Sequence, residues 1–350
     1  MAAELLSNLS PALAQTFAAQ LTRNWNRMAR LAQNIPILSG GGQGGGQNVA
    51  WDVEFSGATA ASFVEGSDPS AGDFNQDPIT KAILPWGQYR APFQLSNLEI
   101  NAAAANISNA AELGNIVGER FVGAITKIIS VINADLFTGT GTDGSGNPTI
   151  VGLNTALANT GLYAGINKAT FTEWQGNVNA NGGTARPLAL ALLAAAEQAE
   201  FVASGMEPDA LVCSAGVHSK YEGLFESIRR TVDSGQGPIP SYQGSTGRLF
   251  WRGKPIIRDR NDPTGTLYGL NFAHLELRVL PWAGVPDGVR VTQMEGQSSN
   301  GQDSQAVMIP VNVYPLARTG SAIKFMAEIY CQLKVLRPNA HFMIQDISEV

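Results

Sequence analysis

The sequence predicts an α+β fold, a mixed body carrying two thin appendages, and three observations predict it. Residues 108–137 repeat apolar side chains at helical spacing. Residues 323–335 alternate apolar and polar side chains without a break. Between them, residues 186–230 pass from helix to buried strand to helix, the alternation that a packed layer requires. Composition fits an ordered chain: of 350 residues, 44% are hydrophobic and 15% charged, with 38 Gly and 18 Pro. About 25% charged is usual, so much of the folded surface is expected to meet protein rather than water. Coil driven by charge repulsion is excluded.

In chain order, residues 5–33 read as an amphipathic helix. Leu13, Phe17, Leu21, Trp25, Met28 and Leu31 share one sector, and Arg23, Arg27 and Arg30 share another. This is either an arm that packs its stripe on a partner or a surface helix of the same body. Pro36 ends it, and Ser39–Gln47 (SGGGQGGGQ) is a flexible tether. No Lys-Ser or Lys-Thr follows those glycines, so the tether is not a phosphate-binding loop.

Residues 51–80 carry Asp52, Glu54, Glu65, Asp68, Asp73 and Asp77 and no Lys or Arg. Trp51, Val53 and Phe55 alternate with the first two acids in strand fashion, and Ile83–Leu95 reads as the returning strand. A two-stranded excursion is marginal in water, so it must lie on its own body or on a neighbouring subunit. Burial of Trp51, Trp86, Tyr89 and Phe93 against a neighbour would offset its ordering cost. On that reading, deletion of residues 51–95 leaves the rest folded.

Residues 108–137 are a rod of about 45 Å. Ser108 or Asn109 can cap it, Glu112 suits its first turn, and Gly139 stops it. The following GTGTDGSGNP lacks the sixth-position Gly and closing Glu of a calcium loop, so it reads as a hairpin turn. A helix over 186–204 ends at Gly205, a buried strand spans Asp209–Ser214, and a second helix spans Gly216–Arg230. A polar loop, Thr231–Gly247, precedes strands at Leu249–Trp251, Gly253–Arg258, Leu267–Phe272, Leu275–Leu280 and Ala306–Tyr314. The strand at 323–335 matches the long helix in length, and its apolar face is placed to cover it.

Chemistry is sparse. His218, His274 and His341 stand far apart, and Cys213 with His218 supplies two of the four donors a zinc site needs. No metal, cofactor or catalytic set is expected. Gly139, Gly141 and Gly144 have dinucleotide-loop spacing without the strand and helix that must flank it. Glu222 and Glu226 read as a solvated helix face rather than an acid/base pair. Cys213 and Cys331 lie in alternating apolar stretches and read as buried free thiols, which points to a reducing cytoplasm. The longest apolar run, Leu188–Ala196, is too short to cross a bilayer, and no signal peptide is expected.

Charge is segregated. The chain's net charge of −6 excludes a generally basic nucleic-acid binder. Arg248, Arg252, Lys254, Arg258 and Arg260 nevertheless cluster around one Asp259. These basic strands and the acidic hairpin either neutralise each other within one chain or meet across subunits, where they would set registry.

The order of elements resembles the major capsid proteins of tailed bacteriophages, whose shared fold is the Hong Kong 97 type. The likeness runs from about residue 108 onward. It includes Gly161–Gly176 (GLYAGINKATFTEWQG), Asp209–Arg230 (DALVCSAGVHSKYEGLFESIRR), Tyr268–Pro281 (YGLNFAHLELRVLP) and Gln332–Ile347 (QLKVLRPNAHFMIQDI). The resemblance implies an N-terminal arm at 1–50 and an extended loop at 51–96. It implies a peripheral domain at 97–183 plus 318–350, built on the spine helix 108–137, and an axial domain at 184–317. It further implies pentamers and hexamers of an icosahedral shell, built in the host cytoplasm around double-stranded DNA, with no membrane. The chain opens at the arm, so a separate scaffolding protein and a portal are the expected partners; a decoration protein is left open. Lys81 is the only lysine of the extended loop and no motif assigns it an Asn partner, so covalent cross-linking is not expected. The expected inter-subunit contacts are Trp51, Trp86, Tyr89 and Phe93, with Asp68, Asp73 and Asp77 facing Arg248, Arg252, Lys254 and Arg258. The alternatives are an encapsulin-like compartment shell, which would hold cargo enzymes, and an enzyme with a pocket.

Overall fold

A computed structural model describes residues 30–39, 46–55, 62, 64–66, 79–97, 110–224, 242–243, 248–280, 289–291, 311–316 and 320–349. The helices are α1 (Arg30–Asn34), α2 (Ala110–Thr138), α3 (Leu153–Leu157), α4 (Leu190–Ser204) and α5 (Ala215–Leu224). The strands begin with β1 (Ile37–Ser39), β2 (Asn48–Glu54), β3 (Ile79–Pro85) and β4 (Gly87–Ser96). Next come β5 (Thr140–Thr142), β6 (Pro148–Val151), β7 (Leu162–Tyr163), β8 (Ile166–Asn167), β9 (Asn177–Asn179) and β10 (Ala210–Cys213). They continue with β11 (Tyr242–Gln243), β12 (Arg248–Trp251), β13 (Lys254–Arg258), β14 (Leu267–Leu270) and β15 (Leu275–Val279). The last are β16 (Val289–Val291), β17 (Val311–Pro315), β18 (Ala322–Val335) and β19 (Phe342–Ile344).

The alternating C-terminal segment is the 14-residue β18, and it organises one sheet. One edge pairs antiparallel with β4, from Gly87 opposite Cys331 to Ser96 opposite Ala322. The other edge takes β15 and then β17, while β1 extends β15 and β16 extends β17. Period-two alternation sends Ala327, Ile329, Cys331 and Leu333 inward, where they share one buried cluster with Ile125, Ile128, Ile132 and Leu136 of α2. The long helix and the long strand therefore pack as expected. Gly139 ends α2 for a spatial reason: a Cβ there would sit 2.2 Å from the Ile150 carbonyl oxygen.

The second sheet runs β11-β12-β13-β10-β14-β19-β9. The buried β10 lies between a parallel β13 and an antiparallel β14. One face carries α4 and α5, with Leu193, Ala196, Val217 and Tyr221 in a separate cluster. The opposite face, through Val212, Tyr268, Leu270 and Met343, joins the main cluster. Alternation along β19 divides it between the two, Phe342 and Ile344 to the α4/α5 side and Met343 to the other.

The structure differs from the sequence reading at two boundaries. The single returning strand expected at 83–95 is two strands parted at Trp86: β3 pairs with β2, and β4 belongs to the body sheet. The helix expected from Arg186 begins at Leu190, because Arg186 runs extended beside Ile347 and its N–H donates to the Asp346 carbonyl at 2.8 Å. The turn at 139–148 is a hairpin between β5 and β6, its Asp143 carboxylate accepting from the N–H groups of Ser145 and Asn147 at 2.8 Å each. Cys213 and Cys331 are buried free thiols. Most of the arm helix, the tether's glycines other than Gly46, most of the hairpin tip, residues 225–230, most of Thr231–Gly247 and residues 306–310 lie outside the described residues.

Candidate functional site

Catalytic geometry does not assemble where the sequence left room for it. Among the described residues, no group of three or more His, Cys, Asp or Glu could hold a metal ion. His341 is fully buried; its Nδ1 accepts the Asn271 N–H at 3.1 Å, and burial pushes its pKa down to about 3. His274 Nε2 lies 3.0 Å from the Met206 sulfur. Both imidazoles serve packing. The informative features are surfaces and the clamps that aim them.

The first clamp holds the root of the β2–β3 hairpin. Trp86 is buried and donates from its indole nitrogen to the Gly46 carbonyl at 3.0 Å. Three residues on, the Tyr89 hydroxyl donates to Asp135 Oδ2 at 2.7 Å and accepts the Ile150 N–H at 2.9 Å. Gln332 amide nitrogen donates to the Pro85 carbonyl at 2.6 Å, and its oxygen accepts from Val151 N–H at 2.9 Å. The chain passes so close here that a Cβ on Gly87 would lie 2.7 Å from the Ile150 nitrogen. Burial raises the Tyr89 and Asp135 pKa values, and the hydrogen bond from the Tyr89 hydroxyl partly offsets the rise at Asp135. Tyr89→Phe leaves a buried carboxylate oxygen and an amide without their partner. A loss of about 1–3 kcal/mol is expected in denaturant unfolding.

The hairpin itself lies on its own body. Trp51, Val49 and Val53 turn inward, and Trp51 packs at 6.4 Å from Tyr163 and 6.5 Å from Trp174. Phe55 stacks on Phe171 at 4.2 Å, and Ile83 N–H donates to the Ala164 carbonyl at 2.9 Å. The aromatic residues expected to meet a neighbour pack first on their own subunit, with Phe93 left half-buried. Trp51, Trp86 and Tyr89 are buried within their own subunit, and Phe93 stacks at 5.1 Å on Phe325 of the same sheet. Apolar area already removed from water cannot be removed again by a neighbour. On the outer face, Ile79 and Ile83 remain exposed, with Asp52 opposite Lys81. Asp68, Asp73 and Asp77 lie outside the described residues.

Two cations of the basic segment, Arg252 and Lys254, pair inside the subunit with glutamates outside the hairpin. Glu197 of α4 accepts from Arg252 at 2.8 Å, from Lys254 and from the Trp251 indole at 3.1 Å. Lys254 also reaches Glu207 at 3.0 Å. Arg252 and Lys254 are thus engaged within the chain by a carboxylate near in space, with Arg252 still more than half exposed. Arg258 is exposed on β13; the Arg248 side chain lies outside the described residues.

Three buried charges were not legible as special. Asp259 accepts from the Leu31 N–H at 3.0 Å and from Asn133 and the Asn261 N–H at 2.9 Å each, joining α1, α2 and the second sheet. Lys168, fully buried, donates to the carbonyls of Thr155, Ala156 and Ala158 and closes the end of α3. Glu200 of α4 is fully buried with neither oxygen hydrogen-bonded, and burial pushes its pKa up to about 9. The one available signal was that Glu197 and Glu200 are the only charges in the run from Leu188 to Ala203, and that pattern does not say which way they point.

They point inward. The outward residues of α4 include Leu190, Ala195, Ala199, Phe201, Val202 and Ala203, with Gln198 as a polar member. α5, on the same sheet face, is arranged the usual way, burying Val217 and Tyr221 and exposing Lys220 and Glu222.

Residues 89–348 match the family model of the SU10 major capsid protein. No curated protein sequence matches the chain. Among solved structures, the cyanophage A-1(L) capsid asymmetric unit is similar with a TM-score of 0.68 at 19% identity, over 91% of this chain and 92% of that one. The capsid of a native GTA particle gives 0.51 at 14% identity, over 91% and 90%. The SrpI encapsulin complex of Synechococcus elongatus PCC 7942 gives 0.50 at 12% identity, over 91% and 88%. At these identities the structures show a shared fold.

Proposed function

The chain belongs to the SU10 major capsid protein family, and from that membership we propose how it builds a shell. It is a structural major capsid protein of a tailed phage, with the Hong Kong 97-type fold, and it associates with copies of itself. The match over residues 89–348 carries this reading, because it spans both sheets and the long helix.

In the proposal, pentamers and hexamers close an icosahedral shell around double-stranded DNA, assembling in the host cytoplasm on a separate scaffolding protein and a portal. Residues 1–50 act as the N-terminal arm, and 97–183 with 318–350 act as the peripheral domain around α2. Residues 184–317 act as the axial domain, with Thr231–Gly247 toward the capsomer centre. The extended loop at 51–96 reaches an adjacent subunit through residues 56–78, since the flanking strands are bonded to their own body. The exposed Arg258 is then the member of the basic segment best placed to meet Asp68, Asp73 or Asp77 of a neighbour. The net charge of −6 supports DNA as cargo, because a strongly basic lining would hold the entering polyanion and impede packing.

Negative-stain microscopy of the purified chain tests the shell, with closed hollow particles expected. Particles from infected cells are expected to hold nuclease-protected double-stranded DNA. Cargo enzymes in its place would favour the encapsulin-like compartment, and a small oligomer with no particles would reject the shell altogether.

A further inference from the structure

We propose that the outer face of α4 is a contact surface for a second copy of this chain, an inference that rests on the shell reading above. The helix buries Leu193 and Ala196 but also carries large apolar side chains on its outer side. Its only charged residues, Glu197 and Glu200, are buried, while Phe201 is 54% and Val202 78% exposed. A helix facing water carries the reverse pattern. The neighbouring α5 packs in the same cluster and does carry it, so this side of the sheet is not simply tolerant of exposed apolar side chains. A largely apolar face without charge, interrupted only by Gln198 among these residues, marks a surface that another protein covers.

The orientation is fixed rather than incidental. Glu197 receives donors from Trp251, Arg252 and Lys254 of the β12–β13 hairpin, and those three contacts set how α4 is rotated about its axis. Rolling the helix to hide Phe201 and Val202 would break all three and leave the Lys254 ammonium, now little exposed, without its carboxylate. The ion cluster holds the apolar side outward.

Charge identifies the occupant. A polyanion needs cations within reach, and the outward residues of α4 supply none. Subunits of net charge −6 repel one another wherever acidic patches meet, and a neutral apolar face lets identical copies approach without that opposition. Every subunit presents the same face, so its cover must be present one-to-one, and the self-associating chain is itself present at that ratio. In a closed ring the contact is head-to-tail, with α4 of one copy on a different surface of the next.

The test uses the full chain in two forms. Phe201→Glu combined with Val202→Glu is expected to cut the yield of closed particles at least tenfold while the dispersed subunit melts as the unmodified one does, both side chains being exposed. Wild-type particle yield from that variant overturns the proposal. In the second form a photo-crosslinking amino acid replaces Val202 in otherwise unmodified purified protein. Irradiation is expected to give covalent dimers whose joined peptides both come from this chain, one of them containing α4. Absence of dimers, or linkage to a different protein, overturns it. Failure of the unmodified chain to form shells would instead reject the shell reading, and dimers linked through position 202 would uphold the α4 contact even then.

Discussion

Excision of residues 51–95 is expected to unfold the subunit rather than merely to stop assembly. The cut removes nearly all of β4, which pairs with Ala322–Cys331 along one edge of β18, together with the buried Trp51, Trp86, Tyr89 and Leu95. Each of those side chains contributes on the order of 1.5–3 kcal/mol by burial. The lost ladder bonds add about 0.5–1.5 kcal/mol each. Together these exceed the ~5–15 kcal/mol by which a domain is stable. Replacement of residues 56–78 alone by a short Gly-Ser linker spares every one of these contacts. That variant is expected to melt within a few degrees of the wild type and yet to form no closed shell. Circular dichroism melts read the first half and negative-stain microscopy the second. A 51–95 deletion that still melts cooperatively would show that β4 is dispensable to the body.

Glu200→Gln is expected to stabilise the dispersed subunit at neutral pH and above. Burial is the main cause of the raised pKa, and the carboxylates of Glu197, Glu207 and Asp209 add to it while Lys254 opposes. The unfolded chain releases this proton near 4.5, whereas the folded chain keeps it until about 9. Between those values the folded state binds more protons, so stability falls as pH rises, by up to about 1.4 kcal/mol per pH unit. Gln has the shape of the protonated acid and no proton to lose. The variant should therefore match the wild type near pH 4.5 and exceed it by on the order of 3 kcal/mol at pH 7. Melting temperatures at pH 5 and pH 8 check this, and an unchanged pH slope would mean that the carboxyl is not held neutral. Burial also pushes Asp262 up to about 9, so a second slope of the same sign is expected to persist in the variant.

The periodic elements were legible because each writes its burial along its own sequence. The spacing of Ile125, Ile128, Ile132 and Leu136 gives α2, the alternation from Ile323 to Val335 gives β18, and Gly205 stops α4 with φ +71° as the expected left-handed cap. Boundaries set by remote partners were not legible. Nothing near Trp86 announces that the indole will enter the core and split one strand into two. Nothing near Arg186 says that Asp346, far along the chain, will hold it extended.

The assembly surfaces divided the same way. Charge content along the chain gave an acidic hairpin and a basic segment, and the resemblance from residue 108 onward gave the family that the match at 89–348 then established. Pairing was another matter. Lys254 is much closer in sequence to Glu197 and Glu207 than to the acids of the hairpin, yet only the crossing of α4 over β12 and β13 decided that they meet. The aromatic residues of the hairpin were expected to be buried against a neighbour, and Trp51, Trp86 and Tyr89 are buried in their own subunit. By itself, then, the sequence determined which periodic segments are helix or strand, since periodicity is a local sum, and its resemblance to phage capsid proteins gave the kind of assembly protein. Tertiary structure alone decided which face of α4 meets water and which charges are engaged, because desolvation and Coulomb attraction act through space between residues that the chain order keeps apart.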